Sequence, residues 1–266
     1  MVKKILTVIL VLCLLVSCSP IAPTSMPTSS PIIITPPSVT PIVINPENIT
    51  GPVTVVDTHY SNTLYNDGDV ILTLNVEYPA IIADVEVDSL KKINSSLKTI
   101  AQNLIDKYEK ESFNYYVIEK SDAESAGLIY TPREISVLFN VEYNQNGIFS
   151  VTCAIEEFSG GPHSGIKLES YTYDLNSGDT LTLSHFIEGE DYLQKVSDYI
   201  IAEISKNPND YYADYGSIVP TLITPTSFFI SDEGVCIYFQ EYDIAAFLIG
   251  APTFILSDIE GLRNVQ

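Results

Sequence analysis

Alternating apolar residues, one long helical stripe and a run of tight turns predict an α+β fold for this 266-residue chain. The expected plan is two small, mainly antiparallel sheet-plus-helix units forming one compact globular region. The stretch "VILTLNVEYP" puts Val70, Leu72, Leu74, Val76 and Tyr78 on one face, the period-two pattern of a half-buried strand. Leu90, Ile93, Leu97, Ile100, Leu104 and Tyr108 then recur at three and four residues, which predicts a helix from Asp88 to Glu111. Asn146 and Gly147 separate two alternating runs, as a tight hairpin requires.

The remaining elements follow in order. "NYYVIEK", "REISVLFNVEY" and "IFSVTCAIEEF" read as strands, and after a glycine-rich loop "KLESYTYDL" and "DTLTLSHF" read as two more, joined by "NSGD". A second helix is expected from Asp191 to Lys206, with Leu193, Val196, Ile200 and Ile204 inward. "SFFISDEGVCIYF" reads as a hairpin turning at Asp232 to Gly234, and "PTFILS" as a last strand. Sequential hairpins favour antiparallel pairing. The expected division is residues 61–165 for the first unit and 166–266 for the second.

The amino terminus carries a different signal. "MVKKILTVILVLCLLVSCSP" has a basic start at Lys3 and Lys4, an apolar run from Ile5 to Val16, and small residues before Cys18. This is the layout of an export signal. "LVSC" resembles the lipobox of bacterial lipoproteins, so residues 1–17 are expected to be removed and Cys18 to carry lipid. That places the chain outside the bacterial cytoplasm, held to the membrane. Residues 18–60 read as a tether rich in Pro, Ser and Thr. Pro20, Pro23, Pro27, Pro31, Pro36, Pro37, Pro41, Pro46 and Pro52 keep it extended, with an upper reach of roughly 100 Å at about 3.1 Å per residue.

Charge narrows the partners. The formal net charge is -21, and loss of Lys3 and Lys4 with the signal makes it -23. Such a surface repels nucleic acid and favours cationic proteins or divalent cations, although solubility alone also accounts for it. Cys153 and Cys236 sit in strand-like runs and suit two buried thiols better than a bridge, which an exported location would permit.

"FSGGPHSG", residues 158–165, is the stretch most suggestive of chemistry. A nucleophile elbow needs serine at the centre of G-x-S-x-G and a helix after it. Here His163 is central and a strand follows. His59 and His185 have no zinc-motif spacing to His163, so no metal or cofactor is expected. Gly160 and Gly161 permit positive φ and Pro162 prescribes a bend, so the loop reads as structural, with no catalytic residue assigned. A paired-carboxylate glycosidase stays open, but no pair stands out among 34 acidic residues.

From this loop onward the chain is also familiar. "GGPHSGIKLESYTYDLNSGDTLTLSHFI" resembles the "GGAH" loop, Tyr-rich strand and following hairpin of the paired domain-of-unknown-function families 4163 and 3298. "FFISDEGVCIYFQEYDIAAFLIGAPTFILSDIEGL" is similar to their closing hairpin and final strand, and "VEYPAI" to the segment before their first helix. The resemblance runs from Val70 to Leu262. Relatives include the extracellular region of the anti-sigma-V factor, which senses lysozyme by binding it, and the noncatalytic part of a peptidoglycan deacetylase. Pro162 and the "IAAF" stretch depart from the family pattern. The resemblance implies a noncatalytic module at the cell surface, binding a protein or envelope ligand such as a cationic lysozyme-like protein. Tyr211, Tyr212, Tyr215 and Tyr242 are the candidate contact residues. The alternatives are a wall-acting hydrolase and a glycan-binding module using the Tyr211, Tyr212 and Tyr215 cluster.

Overall fold

A computed structural model describes residues 32–34, 40, 41 and 43–263. The expected signal peptide, Cys18 and most of the tether lie outside the described residues. The fold class is α+β, with a six-stranded and a three-stranded sheet.

The large sheet has the order β1 (Ile32–Ile34), β2 (Thr54–Asn66), β3 (Asp69–Ile82), β4 (Arg133–Gln145), β5 (Ile148–Phe158), β6 (Gly165–Asp174). Two turns set its registers. Asp67 and Gly68 (φ 51° and 90°) close β2 onto β3, and Asn146 and Gly147 (φ 55° and 78°) close β4 onto β5. Both pairs occupy the left-handed region that the tightest hairpins require. The β3–β4 pairing alone is parallel, because α1 (Asp88–Ala126) crosses between them. Its stripe of Leu90, Ile93, Leu97, Ala101, Ile105 and Tyr108 is buried against Leu72, Leu74, Ile135, Val137, Val151 and Cys153 on one sheet face.

Two expectations change here. "NYYVIEK" is helical, not a strand, since α1 runs 39 residues and ends at Gly127, φ 68°. Its aromatic and β-branched residues favour strand only weakly. Ser112 and Tyr116 continue the buried stripe of Tyr108 at four-residue steps, and the Tyr116 hydroxyl and Lys120 Nζ both reach Asp69, at 3.0 and 2.7 Å. Residues placed in the tether are folded: Ile49 and Val53 are buried, and β2 starts at Thr54. β6, which follows residue 165, lies along β5 from Glu157↔Gly165 to Ile148↔Asp174.

The second unit encloses its own core. It is built from α2 (Tyr192–Ile204), α3 (Tyr215–Leu222), β7 (Phe228–Ser231), β8 (Gly234–Tyr238) and β9 (Thr253–Ile255). Leu183, Phe186, Ile187, Val196, Ile200, Val219, Ile230 and Ile237 are buried together. "DTLTLSHF" makes only a bridge at Thr180 to Tyr173 and then a 3-10 turn, Leu183–His185, instead of a strand. The cause is local: the Thr182 N–H donates to His185 Nδ1 at 3.0 Å, and Leu183, Phe186 and Ile187 reach the core at helical spacing. α3 was hidden by Gly216 and Pro220, yet Val219 is fully buried. The β7 hairpin packs on the sheet face opposite α1, where Ser150 Oγ accepts the Ile230 N–H and Ser170 Oγ donates to Phe228 O.

Side-chain amides take the place of a strand partner at four points along the backbone. Asn176 bonds both the N–H and C=O of Ile49, Asn144 those of Val53, Asn94 those of Ile81, and Gln240 those of Leu168. Each carboxamide presents one acceptor and one donor, the same pair a neighbouring strand would offer.

Candidate functional site

The second unit covers only part of the sheet face opposite α1. On β4 the residues alternate strictly, with Arg133, Ile135, Val137 and Phe139 buried and Glu134, Ser136, Leu138 and Asn140 exposed. Register extends that open face. Thr73 and Asn75 pair with Glu134 and Ser136, and Ser136 with Glu156. Ser61 donates to Asn75 at 2.8 Å, and His59 Nδ1 lies 3.1 Å from Glu77. A shallow depression of about 220 Å³ opens between Thr73, Asn75, Glu134, Ser136, Glu156, Phe158 and Ser164. Among the described residues neither Glu134 nor Glu156 has an ion-pair partner, so the face presents uncompensated negative charge.

Two loops form an apolar rim beside it. The His163 ring stacks on Phe247 with centroids 3.8 Å apart, and Phe247 stacks on Tyr242 at 6.0 Å. Leu248 is 93% exposed, with Tyr242, Phe247, Ile249 and Ile166 also open to solvent. Exposed apolar side chains gathered on one loop mark contact surfaces rather than packing. The rim is fixed from behind. Gln240 clamps Leu168 with two 2.7 Å bonds, Glu241 Oε2 accepts the Ile166 N–H at 3.1 Å, and Asp243 Oδ2 accepts the Gln240 N–H at 2.8 Å.

The residues singled out from sequence divide cleanly. Tyr242, at φ 66°, stands on the rim, and Tyr212 is exposed beside it, its N–H donating to Ile244 O at 2.9 Å. Tyr211 and Tyr215 are half-buried against the second core. Tyr211 lies 6.2 Å from the Phe254 ring, and the Tyr215 hydroxyl is 3.0 Å from Ser205 Oγ. His163 is exposed, its Nδ1 2.9 Å from Ser164 O. Gly160 has φ 94°, and a Cβ there would meet Thr131 at 2.9 Å; Gly161, contrary to expectation, is not in the left-handed region. The pair Phe247 and Leu248 was not singled out. Its signal was an apolar run, "AAFLIG", in a segment with no strand or helix period. Cys153 and Cys236 are buried free thiols, and burial pushes both above the ordinary thiol range.

A crossover-helix sheet with a small second core on its far face defines a two-core α+β protein, and comparison places that architecture. Residues 66–165 match the family model described as deacetylase PdaC, and residues 186–257 the model of a protein of unknown function, DUF3298. Two solved structures share the fold. A DUF3298 family member from Bacteroides fragilis NCTC 9343 is 18% identical, covers 78% of this chain and 91% of its own, and superposes with a TM-score of 0.56. A DUF3298 family protein from Pseudomonas aeruginosa PAO1 is 13% identical, with 82% and 93% covered and a TM-score of 0.53. No curated protein matches the chain.

Proposed function

We propose that the chain is a lipid-anchored, extracytoplasmic, noncatalytic binding module, and that its open sheet face and aromatic rim take a protein with a cationic surface, of the lysozyme-like class. The observation that carries this reading is the pairing of an uncompensated acidic face, with Glu134 and Glu156, to an exposed apolar rim of Tyr242, Phe247 and Leu248. Apolar anchors supply contact energy, and surrounding charge selects and steers the partner. The lipobox at Cys18 and the resemblance to the lysozyme-sensing extracellular region support the location and the partner class. His163 serves as part of the rim, since its ring lies on Phe247.

Hydrogen exchange on the lipidated chain, with and without a cationic muramidase, tests the contact surface. Protection should appear in residues 158–166 and 239–250. Protection confined to the α1 side would refute the assignment. Cys18→Ala should abolish lipid labelling and release the protein from the membrane fraction. Unchanged labelling would refute the anchor.

A further inference from the structure

A second cleft lies at the junction of the two cores. It encloses about 470 Å³, within the usual range for small-molecule sites. α1 contributes Ser96 and Ile100, the outer edge of β6 contributes Glu169 to Thr172, and Thr180, Leu181, Thr226, Phe228 and Tyr238 close it from the second unit. Its walls are therefore rigid elements of both units.

The lining chemistry excludes several ligand classes. No lysine or arginine lines the cleft, and the chain's net charge is -21, so phosphates and carboxylates are repelled. A peptide strand finds no continuous edge on β6 there, because the backbone on either side of Ser170 is already held. Gln240 holds Leu168 on both backbone groups, Glu241 accepts the Ile166 N–H, Thr172 O accepts the Leu181 N–H, and Asp179 O accepts the Asp174 N–H. A purely apolar ligand would strand the Thr180 hydroxyl, whereas those of Ser96, Thr226 and Tyr238 are partnered by Tyr173, Thr224 and Ser170.

What remains combines apolar walls with hydroxyl and carboxylate edges. Ile100 and Leu181, both only partly buried, offer surface for the C–H face of a ring. The single Ser170 hydroxyl proton goes to Phe228 O, so at 3.3 Å the Tyr238 hydroxyl donates to Ser170 Oγ and keeps its lone pairs for a ligand hydroxyl, and Tyr238 is only 9% exposed. Glu169 is a ready acceptor. Burial opposes its charge, but hydrogen bonds from Lys167 and the Tyr171 hydroxyl outweigh that and hold it below the ordinary carboxylate range. We infer that this cleft is a binding site for a neutral saccharide, seated between α1 and the β6 edge and separate from the proposed protein-binding face. The Tyr211, Tyr212 and Tyr215 cluster is not part of it.

Calorimetric titration of the full chain, held in a detergent without a sugar headgroup, tests the site. The probes are malto-, cello- and N-acetylchito-tetraose, with a sugar phosphate as the charged control. One or more neutral probes should bind saturably at one per chain. Tyr238→Phe should weaken that binding roughly five- to tenfold, the equivalent of one hydrogen bond. Thr180→Trp, at an exposed position on the cleft wall, should abolish it without lowering the melting temperature. The inference is overturned if no neutral probe saturates, if Thr180→Trp leaves binding intact, or if the sugar phosphate binds as tightly.

Discussion

A methyl group at position 160 has nowhere to go: φ is 94°, and the Thr131 side chain stands 2.9 Å from where the Cβ would be. Gly160→Ala should therefore cost about 1–2 kcal/mol, while Gly161→Ala, whose Cβ would meet only His163 O at 3.6 Å, should stay within about 0.5 kcal/mol. Urea denaturation of the two variants separates them, and equal losses would contradict the loop geometry. Glu169 gives a pH prediction. Its folded value lies below the ordinary one, so its contribution to stability is present above the ordinary carboxylate range and is lost as pH falls through the folded value. Tyr171→Phe removes a donor and should move the Glu169 titration upward, as read from its carboxyl carbon by NMR. The buried thiols of Cys153 and Cys236 should resist alkylation until the protein unfolds. Rapid labelling of either in the native protein would contradict their burial.

At the scale of elements, the sheet is finished by amides as much as by strands. Gln240→Ala leaves the Leu168 N–H and C=O without their 2.7 Å partners. It should speed hydrogen exchange at the Leu168 amide and destabilise the fold by about 1 kcal/mol. Unchanged exchange there would mean that Gln240 does not hold the rim. Such clamps act between residues far apart in the chain, 72 positions for Gln240 and Leu168, and no local pattern announces them. Elements with local signals were legible: β3, β4 and β5 by alternation, α2 by its stripe, and the β4–β5 turn by Asn146 and Gly147. β2 was missed because "VVDTHYSNTLYN" carries polar residues on its open face and follows a proline-rich run, although the Asp67-Gly68 turn was its signal. Residues 114–120 were misread because the ties that hold them helical, buried Tyr116 and Lys120 bonded to Asp69 on β3, are long-range and outweigh strand propensity. Within the candidate site, Tyr242 was singled out as a contact residue and His163 only as part of a structural loop; their joining through Phe247 was not legible, since it depends on two loops that meet only in the fold.

At the scale of the whole molecule, one sheet separates two surfaces of opposite character. α1 seals one face with the larger core, and the second unit covers part of the other, leaving an acidic strip with an apolar rim. A net charge of -21 draws any cationic protein weakly, so attraction alone is not evidence of a built site. At physiological ionic strength the screening length is about 8 Å, and exposed charge pairs lose most of their reach. Buried apolar contacts do not. The central claim is therefore tested most directly by calorimetric titration of the full chain with a cationic muramidase at low and at physiological salt, alongside the double variant Phe247→Ser, Leu248→Ser. Saturable binding that survives at physiological salt in the native chain, and is lost in the double variant with its melting temperature unchanged, is the expected result. Binding that vanishes at physiological salt, or that the double variant retains in full, would contradict it.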